Sequence, residues 1–146
     1  MKILILCLMC LNFLLGEEMQ IKLLFNGKEL LVNLEQNEAS RQFYNALPLE
    51  LEFSDFIGKE KIAHLPKALN AKGSSAYKPQ IGDLFYYVPW GNIGIFYELQ
   101  NANEDLVFLG KIQDANEDLV FLGKIQGNLE LLKMQKGDFK VKIIKK

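Results

Sequence analysis

From residue 20 onward, apolar residues recur at every second position of the chain, a period that restricts it to folds built from β-strands. The dipeptide Asn26-Gly27 suits a two-residue hairpin turn, because both residues tolerate a positive φ angle. This turn predicts a register in which Leu23 lies opposite Leu30. The paired strands would then present their apolar side chains on one face.

Further strand patterns follow, together with signals for two short helices. The patterns predict strands over residues 49–53, 61–65, 84–88, 93–97 and 139–143. Asn37 can cap a short helix that Pro48 stops, and a brief second helix is predicted over residues 128–134. The longest polar connection, residues 70–80, predicts a loop at the rim of the fold. Periodicity therefore favours a mainly β fold, either a barrel or a sandwich.

The length and charge of the chain limit its function classes. A chain of 146 residues suffices for one domain with a buried core and is too short for a second catalytic domain. Its formal net charge is −1, so no basic excess favours a nucleic-acid partner. The sequence leaves the oligomeric state open.

The first 16 residues form an apolar leader, in which Lys2 precedes an apolar run broken only by Asn12. Such a run is too short to span a bilayer well and is typical of a signal peptide. It predicts a secreted or periplasmic protein, with a domain over residues 19–146 and no stable membrane span after leader removal. Alternatively, translation starts at Met19 and the protein is cytoplasmic.

The domain offers few residues for covalent or metal chemistry. Cys7 and Cys10 both lie in the leader, and His64 is the single histidine, which rules out a multi-histidine metal centre. His64 could still act as a general base, and Ser54 with Asp55 is another candidate catalytic pair, although a lone histidine on a strand is usually structural. We predict no catalytic residue, no metal ligand and no cofactor.

A tandem duplication interrupts the strand pattern. Residues 101–113 and 114–126 match at every position except the first, and each copy contains ANEDLVFLGKIQ. A solenoid needs at least three repeats, so two copies indicate a duplication within one domain. The first copy continues from residues 93–97 and the second runs into Gly127, so both compete for one strand position. The displaced copy forms either an extra hairpin arm or an exposed loop.

Three blocks of sequence stand out once the strands are placed. They are LPLELEFSDFIGKEKIAHLP at residues 47–66, GDLFYYVPWGNIGIFYE at 82–98 and LGKIQGNLELL at 122–132. Together they resemble the bacterial cyclophilin-like domain family over most of residues 20–146, apart from the duplicated insert. The resemblance implies a closed β-barrel of about eight strands with one or two short helices.

The resemblance also suggests prolyl cis/trans isomerisation as a candidate activity. In this reaction cyclophilins use an arginine near the proline nitrogen. Arg41 is the single arginine here, and we expect it on the exposed side of the first helix. No residue matches the catalytic arginine of true cyclophilins, and lysine lacks the planar fork of donors that arginine offers. The sequence therefore favours a protein that is not an isomerase.

The aromatic residues around the turn at residues 89–92 are the strongest binding candidates. Amphipathic rings can line the mouth of a barrel and hold a small ligand or a peptide, and packing in the core is their alternative role. Alternation places Tyr86 and Tyr87 on opposite faces without deciding which one points inward. The candidate ligand-binding residues are Tyr77, Tyr86, Tyr87, Trp90, Asn92 and Tyr97. A structural or assembly protein without a small-molecule site is the second functional alternative, and an isomerase the third.

Deleting residues 101–113 should leave the fold intact, because residues 114–126 supply the same strand sequence. We expect the deletion variant to be soluble, with a Tm within about 3 °C of the parent, which corresponds to less than 1 kcal/mol. Thermal unfolding followed by circular dichroism measures this. An insoluble variant, or one that melts well below the parent, would contradict the prediction.

Overall fold

The computed structural model describes residues 18–72, 77–99 and 118–146. The predicted leader at residues 1–16 and the first duplicated copy at 101–113 lie outside the described residues. Part of the polar connection, residues 73–76, also lies outside them. Within the described ranges, no helix combines the length and the apolar character needed to cross a membrane.

Eight antiparallel strands form a closed barrel, as the resemblance implied. Around the barrel the order is β1-β2-β7-β5-β6-β4-β3-β8, and β8 pairs with β1 to close the ring. A closed ring leaves its strands without an open edge on which another chain could add. The strands are Gln20–Phe25 (β1), Lys28–Leu34 (β2), Leu49–Phe56 (β3), Glu60–His64 (β4), Asp83–Tyr87 (β5), Asn92–Phe96 (β6), Leu119–Gln126 (β7) and Phe139–Lys145 (β8).

The hairpin between β1 and β2 has the predicted turn and register. Asn26 and Gly27 have φ angles of 48° and 71°, and Leu23 lies opposite Leu30. Both leucines are buried in the main core. The turn chemistry thus fixes which residues of the two strands share a face, and the apolar face is the one that is buried.

Two short helices pack against the barrel. The first, Glu38–Asn45 (α1), is capped by Asn37, whose Oδ1 accepts the amide of Ser40 at 2.8 Å. The side chains of these two residues also donate to the backbone of β7, at 2.7 Å from Asn37 and 2.9 Å from Ser40. The second helix, Glu130–Lys133 (α2), is shorter than predicted, and Asn128 Oδ1 accepts the amide of its first residue, Glu130, at 3.0 Å. Arg41 is exposed on α1, as expected.

One apolar core fills the barrel. Every strand contributes the residues of one face to it, and Phe43 of α1 and Leu132 of α2 join the same cluster. Because side chains alternate along a strand, the intervening residues point outward. On β4, β5, β6 and β7, several of these outward residues are also apolar.

Strand β7 comes from the second duplicated copy and is held closely against β2. A Cβ atom added at Gly123 would lie 2.4 Å from the carbonyl oxygen of Asn33 and 2.9 Å from the Cα of Leu34. Since these neighbours are backbone atoms in the paired strand, they could move only if the two strands separated. Glycine at this position is therefore a requirement of the barrel itself.

Substitution Gly123→Ala should lower the free energy of unfolding by about 3 kcal/mol, because the added methyl group meets backbone atoms. The matched variant is Gly94→Ala, whose methyl group would meet the ring of Phe85, a side chain rather than the backbone of a paired strand. We expect that variant to cost about 1 kcal/mol. Urea denaturation compares the two, and equal losses would contradict the role assigned to Gly123.

Candidate ligand-binding groove

A groove of about 220 Å³ lies on the outer surface of the barrel, across β3 to β7. Its polar contribution comes mainly from one carboxylate and one amide, and the rest of its lining is aromatic or aliphatic. We call it the outer groove. Its lining residues are Phe56, Glu60, Ile62, Phe85, Tyr87, Trp90, Asn92, Phe96 and Leu119.

Strand alternation explains why these side chains meet. On β6, Ile93 and Ile95 point into the core, so Asn92 and Phe96 point outward. Between them Gly94 has no side chain, and a Cβ atom there would lie 2.4 Å from Phe85. The ring of Phe85 therefore covers the β6 backbone and stacks on Phe96, with ring centroids 4.4 Å apart. These two rings form the floor of the groove.

Three further rings form a wall beside this floor. Trp90 lies in the turn between β5 and β6 and contacts Phe56 with centroids 5.6 Å apart and planes at 84°. It contacts Tyr87 at 5.2 Å and 88°. Trp90 is nevertheless 54% exposed, so a ligand in the groove would cover it. Large exposed aromatic rings next to a cavity are typical of recognition surfaces.

Two polar groups are embedded in this apolar lining. Asn92 is 2% exposed; its Nδ2 donates to the carbonyl of Ile93, and its Oδ1 has no hydrogen-bond partner among the described residues. Glu60 is the single carboxylate of the lining, and burial, with a smaller contribution from the charge of Asp55, raises its pKa to about 7. The groove therefore presents acceptor groups in surroundings that weaken their solvation.

A separate charged cluster lies on the other side of β4. The Lys61 side chain is 3% exposed, and its Nζ donates to the carbonyl of Gln135 at 2.7 Å and pairs with Asp55 at 3.1 Å. The Tyr97 hydroxyl donates to the same Asp55 carboxylate, and Nζ lies 5.3 Å from the Tyr97 ring centre. Burial alone would raise the pKa of Asp55, but hydrogen bonds from Tyr97, the Gly58 amide and Lys61 outweigh it and hold that pKa below its usual value.

The structure brings three of the six candidate binding residues together. Tyr87, Trp90 and Asn92 line the outer groove. Tyr86 instead points into the core, where its hydroxyl accepts the amide of Leu69 at 3.2 Å. The groove also lies on the outer surface of the barrel, whereas the sequence analysis placed the ligand at the barrel mouth.

The other two candidates do not line the groove. Tyr97 belongs to the charged cluster around Lys61. Burial raises the pKa of its hydroxyl, and the hydrogen bond that this hydroxyl donates to Asp55 raises it further. Tyr77 packs on Phe121 with ring centroids 5.5 Å apart and contacts the apolar cluster beneath the groove. Burial is also the main cause that raises the pKa of Tyr77.

Sequence reasoning missed the other six lining residues, which are Phe56, Glu60, Ile62, Phe85, Phe96 and Leu119. Alternation on β4 predicts that Glu60 and Ile62 lie on the opposite face from Lys61. It does not predict that this face lies beside Phe96, because β4 pairs with β6, a strand distant in sequence. The candidates His64 and Ser54 do not line the groove. In the part of the chain that the structure describes, no three His, Cys, Asp or Glu side chains are grouped to hold a metal ion.

Comparisons with known proteins agree with this architecture. A sequence profile of the Cyclophilin-like family matches residues 23–144. The solution structure of the hypothetical protein AF2241 from Archaeoglobus fulgidus is similar, with a TM-score of 0.68, covering 90% of this chain and 97% of that one. At 23% identity, this similarity shows a common fold and nothing about activity. None of the curated proteins matches the chain.

Glu60→Gln should stabilise the protein at alkaline pH. The pKa of Glu60 rises from 4.5 to about 7 on folding, so the folded state holds a proton that the unfolded state has already released. The free energy of unfolding therefore falls as pH rises from about 4.5 through 7. We expect the variant to exceed the parent by roughly 2 kcal/mol near pH 8, a value discounted for partial exposure, and to match it near pH 4.

Urea denaturation at several pH values measures this difference. The control is Glu52→Gln, which changes an exposed carboxylate opposite Lys140 on the neighbouring strands. We expect the control to show no alkaline gain. An equal offset between Glu60→Gln and the parent at every pH would contradict the assigned ionisation of Glu60.

Proposed function

Since the chain belongs to the Cyclophilin-like family, we propose that it uses its barrel as a scaffold for binding, with a small apolar ligand or an apolar peptide side chain held in the outer groove. Folds of this kind carry many activities, so the function must be argued from the site. The observation that carries the proposal is the concave, largely apolar groove beside the exposed ring of Trp90.

The size of the groove limits what it can hold. Sites for drug-sized molecules span about 300–1,000 Å³, whereas the outer groove measures about 220 Å³. The groove itself fits one ring or one side chain with a small polar group, and the remainder of a larger ligand would lie against the exposed ring of Trp90. Its floor of stacked Phe85 and Phe96 is held by the barrel strands, so the site is largely formed before a ligand arrives.

The lining argues against prolyl isomerisation as the use of this groove. An apolar groove could hold a proline ring, but catalysis by true cyclophilins also needs a guanidinium near the proline nitrogen. The single arginine, Arg41, lies exposed on α1 and does not line the groove. Binding without isomerisation is the function that these side chains support.

A neutral apolar fluorophore, N-phenyl-1-naphthylamine, should bind in the outer groove. We expect its emission to rise and shift to the blue on titration with the protein, because the dye leaves water for an apolar site. Trp90→Ala should weaken binding about tenfold, as is typical when an aromatic anchor is removed. Fluorescence titration gives the Kd of each variant.

The control variant is Ile81→Ala, which removes another exposed apolar side chain, one outside the groove. It should bind the dye as the parent does. Failure of the dye to bind, or equal weakening in both variants, would contradict the proposed site.

A further inference from the structure

We propose that the natural ligand of the outer groove is an organic ammonium, with its positive charge beside Glu60 and its apolar body against the aromatic wall. This inference rests on the proposed binding function and narrows it to one class of ligand. It follows from the charge of the lining, from the lack of a counterion for Glu60, and from the arrangement of the rings.

The two cross-strand neighbours of Glu60 cannot satisfy a carboxylate. It lies directly opposite Phe56 on β3 and opposite Phe96 on β6. Phenyl rings offer no hydrogen bond of useful strength to an anion. In residues 18–72, 77–99 and 118–146, none forms a hydrogen bond or an ion pair with Glu60. Removing a carboxylate from water without a compensating partner is unfavourable, so a partner from outside the chain would complete this site.

The two lysines adjacent to Glu60 in the sequence interact with groups other than Glu60. Lys61 points to the other side of β4, where Asp55 and the Gln135 carbonyl hold it. Lys59 pairs with Glu98 at 3.9 Å. Among the described residues that line the groove, there is no lysine or arginine. This part of the lining therefore has a negative group and no positive one, which favours a cation and disfavours an anion.

The rings beside Glu60 suit an ammonium group in particular. The planes of Phe56 and Tyr87 both stand nearly perpendicular to Trp90, so the three rings do not stack into one flat surface. An ammonium group is attracted to the faces of such rings, and Trp is the strongest of them. The other polar atom buried in the lining, Asn92 Oδ1, is also an acceptor. The ring faces and Asn92 Oδ1 therefore both favour a ligand that carries a positive charge.

The test compares probes of equal ring size and different charge. Benzyltrimethylammonium, benzyl alcohol and benzoate are titrated near pH 8, where Glu60 is ionised. Trp90 is the single tryptophan, so its fluorescence and its indole N–H resonance report directly on the groove. We expect the cation to bind about tenfold more tightly than the alcohol, and benzoate to bind most weakly.

Glu60→Gln should remove the preference for the cation while the affinity for benzyl alcohol stays within about twofold. The control Glu52→Gln retains the preference, because its carboxylate lies outside the groove. N-acetyl-lysinamide, added as a fourth probe, distinguishes the source of the ammonium. Tighter binding of this probe than of benzyltrimethylammonium assigns the ammonium to a peptide side chain, and weaker binding assigns it to a small molecule.

Two failures are distinguishable. If the alcohol binds as tightly as the cation, or if Glu60→Gln keeps the preference for the cation, the ammonium inference is wrong and the binding groove stands. If no probe perturbs Trp90 and N-phenyl-1-naphthylamine does not bind either, the groove is not a binding site and both proposals fall.

Discussion

Closure of the barrel is the constraint on which the other features depend. When β8 pairs with β1, one face of every strand is committed to a single interior, and each remaining side chain must face outward or toward a helix. Gly123 contributes to this closure because only a residue without a Cβ atom allows β7 to approach β2 so closely. The outer groove follows from the same strand alternation, since the strand residues that line it are those whose side chains point away from the interior.

Alternation along one strand also separates two neighbouring charges. Lys61 points inward and reaches Asp55, so that a buried cation and a carboxylate stabilise each other. Glu60 points outward among phenyl rings and reaches no cation. The two carboxylates therefore differ in pKa. The pKa of Asp55, which has hydrogen-bond partners, falls below its usual value, while that of Glu60, which has none among the described residues, rises to about 7. An unsatisfied group at a concave surface is where binding specificity is expected.

Local chemistry allowed prediction of much of the fold, whereas the site depends on long-range pairing. The Asn26-Gly27 turn was sufficient to predict the register of β1 and β2, and Asn37 to predict the start of α1. By contrast, β5 is apolar on both faces, so alternation could not decide between Tyr86 and Tyr87. The position of Glu60 beside Phe96 arises from the pairing of β4 with β6, which no local pattern encodes.

The close contact at Gly123 also bears on how the gene can change. The first copy carries a glycine at the equivalent place, Gly110, within an otherwise matching sequence. Because the second copy supplies β7, a substitution at Gly123 disturbs the contact between β7 and β2, whereas a substitution at Gly110 leaves that contact unchanged. Purifying selection should therefore act more strongly on Gly123 than on Gly110, and lineages that keep both copies are expected to lose the glycine of the first copy earlier.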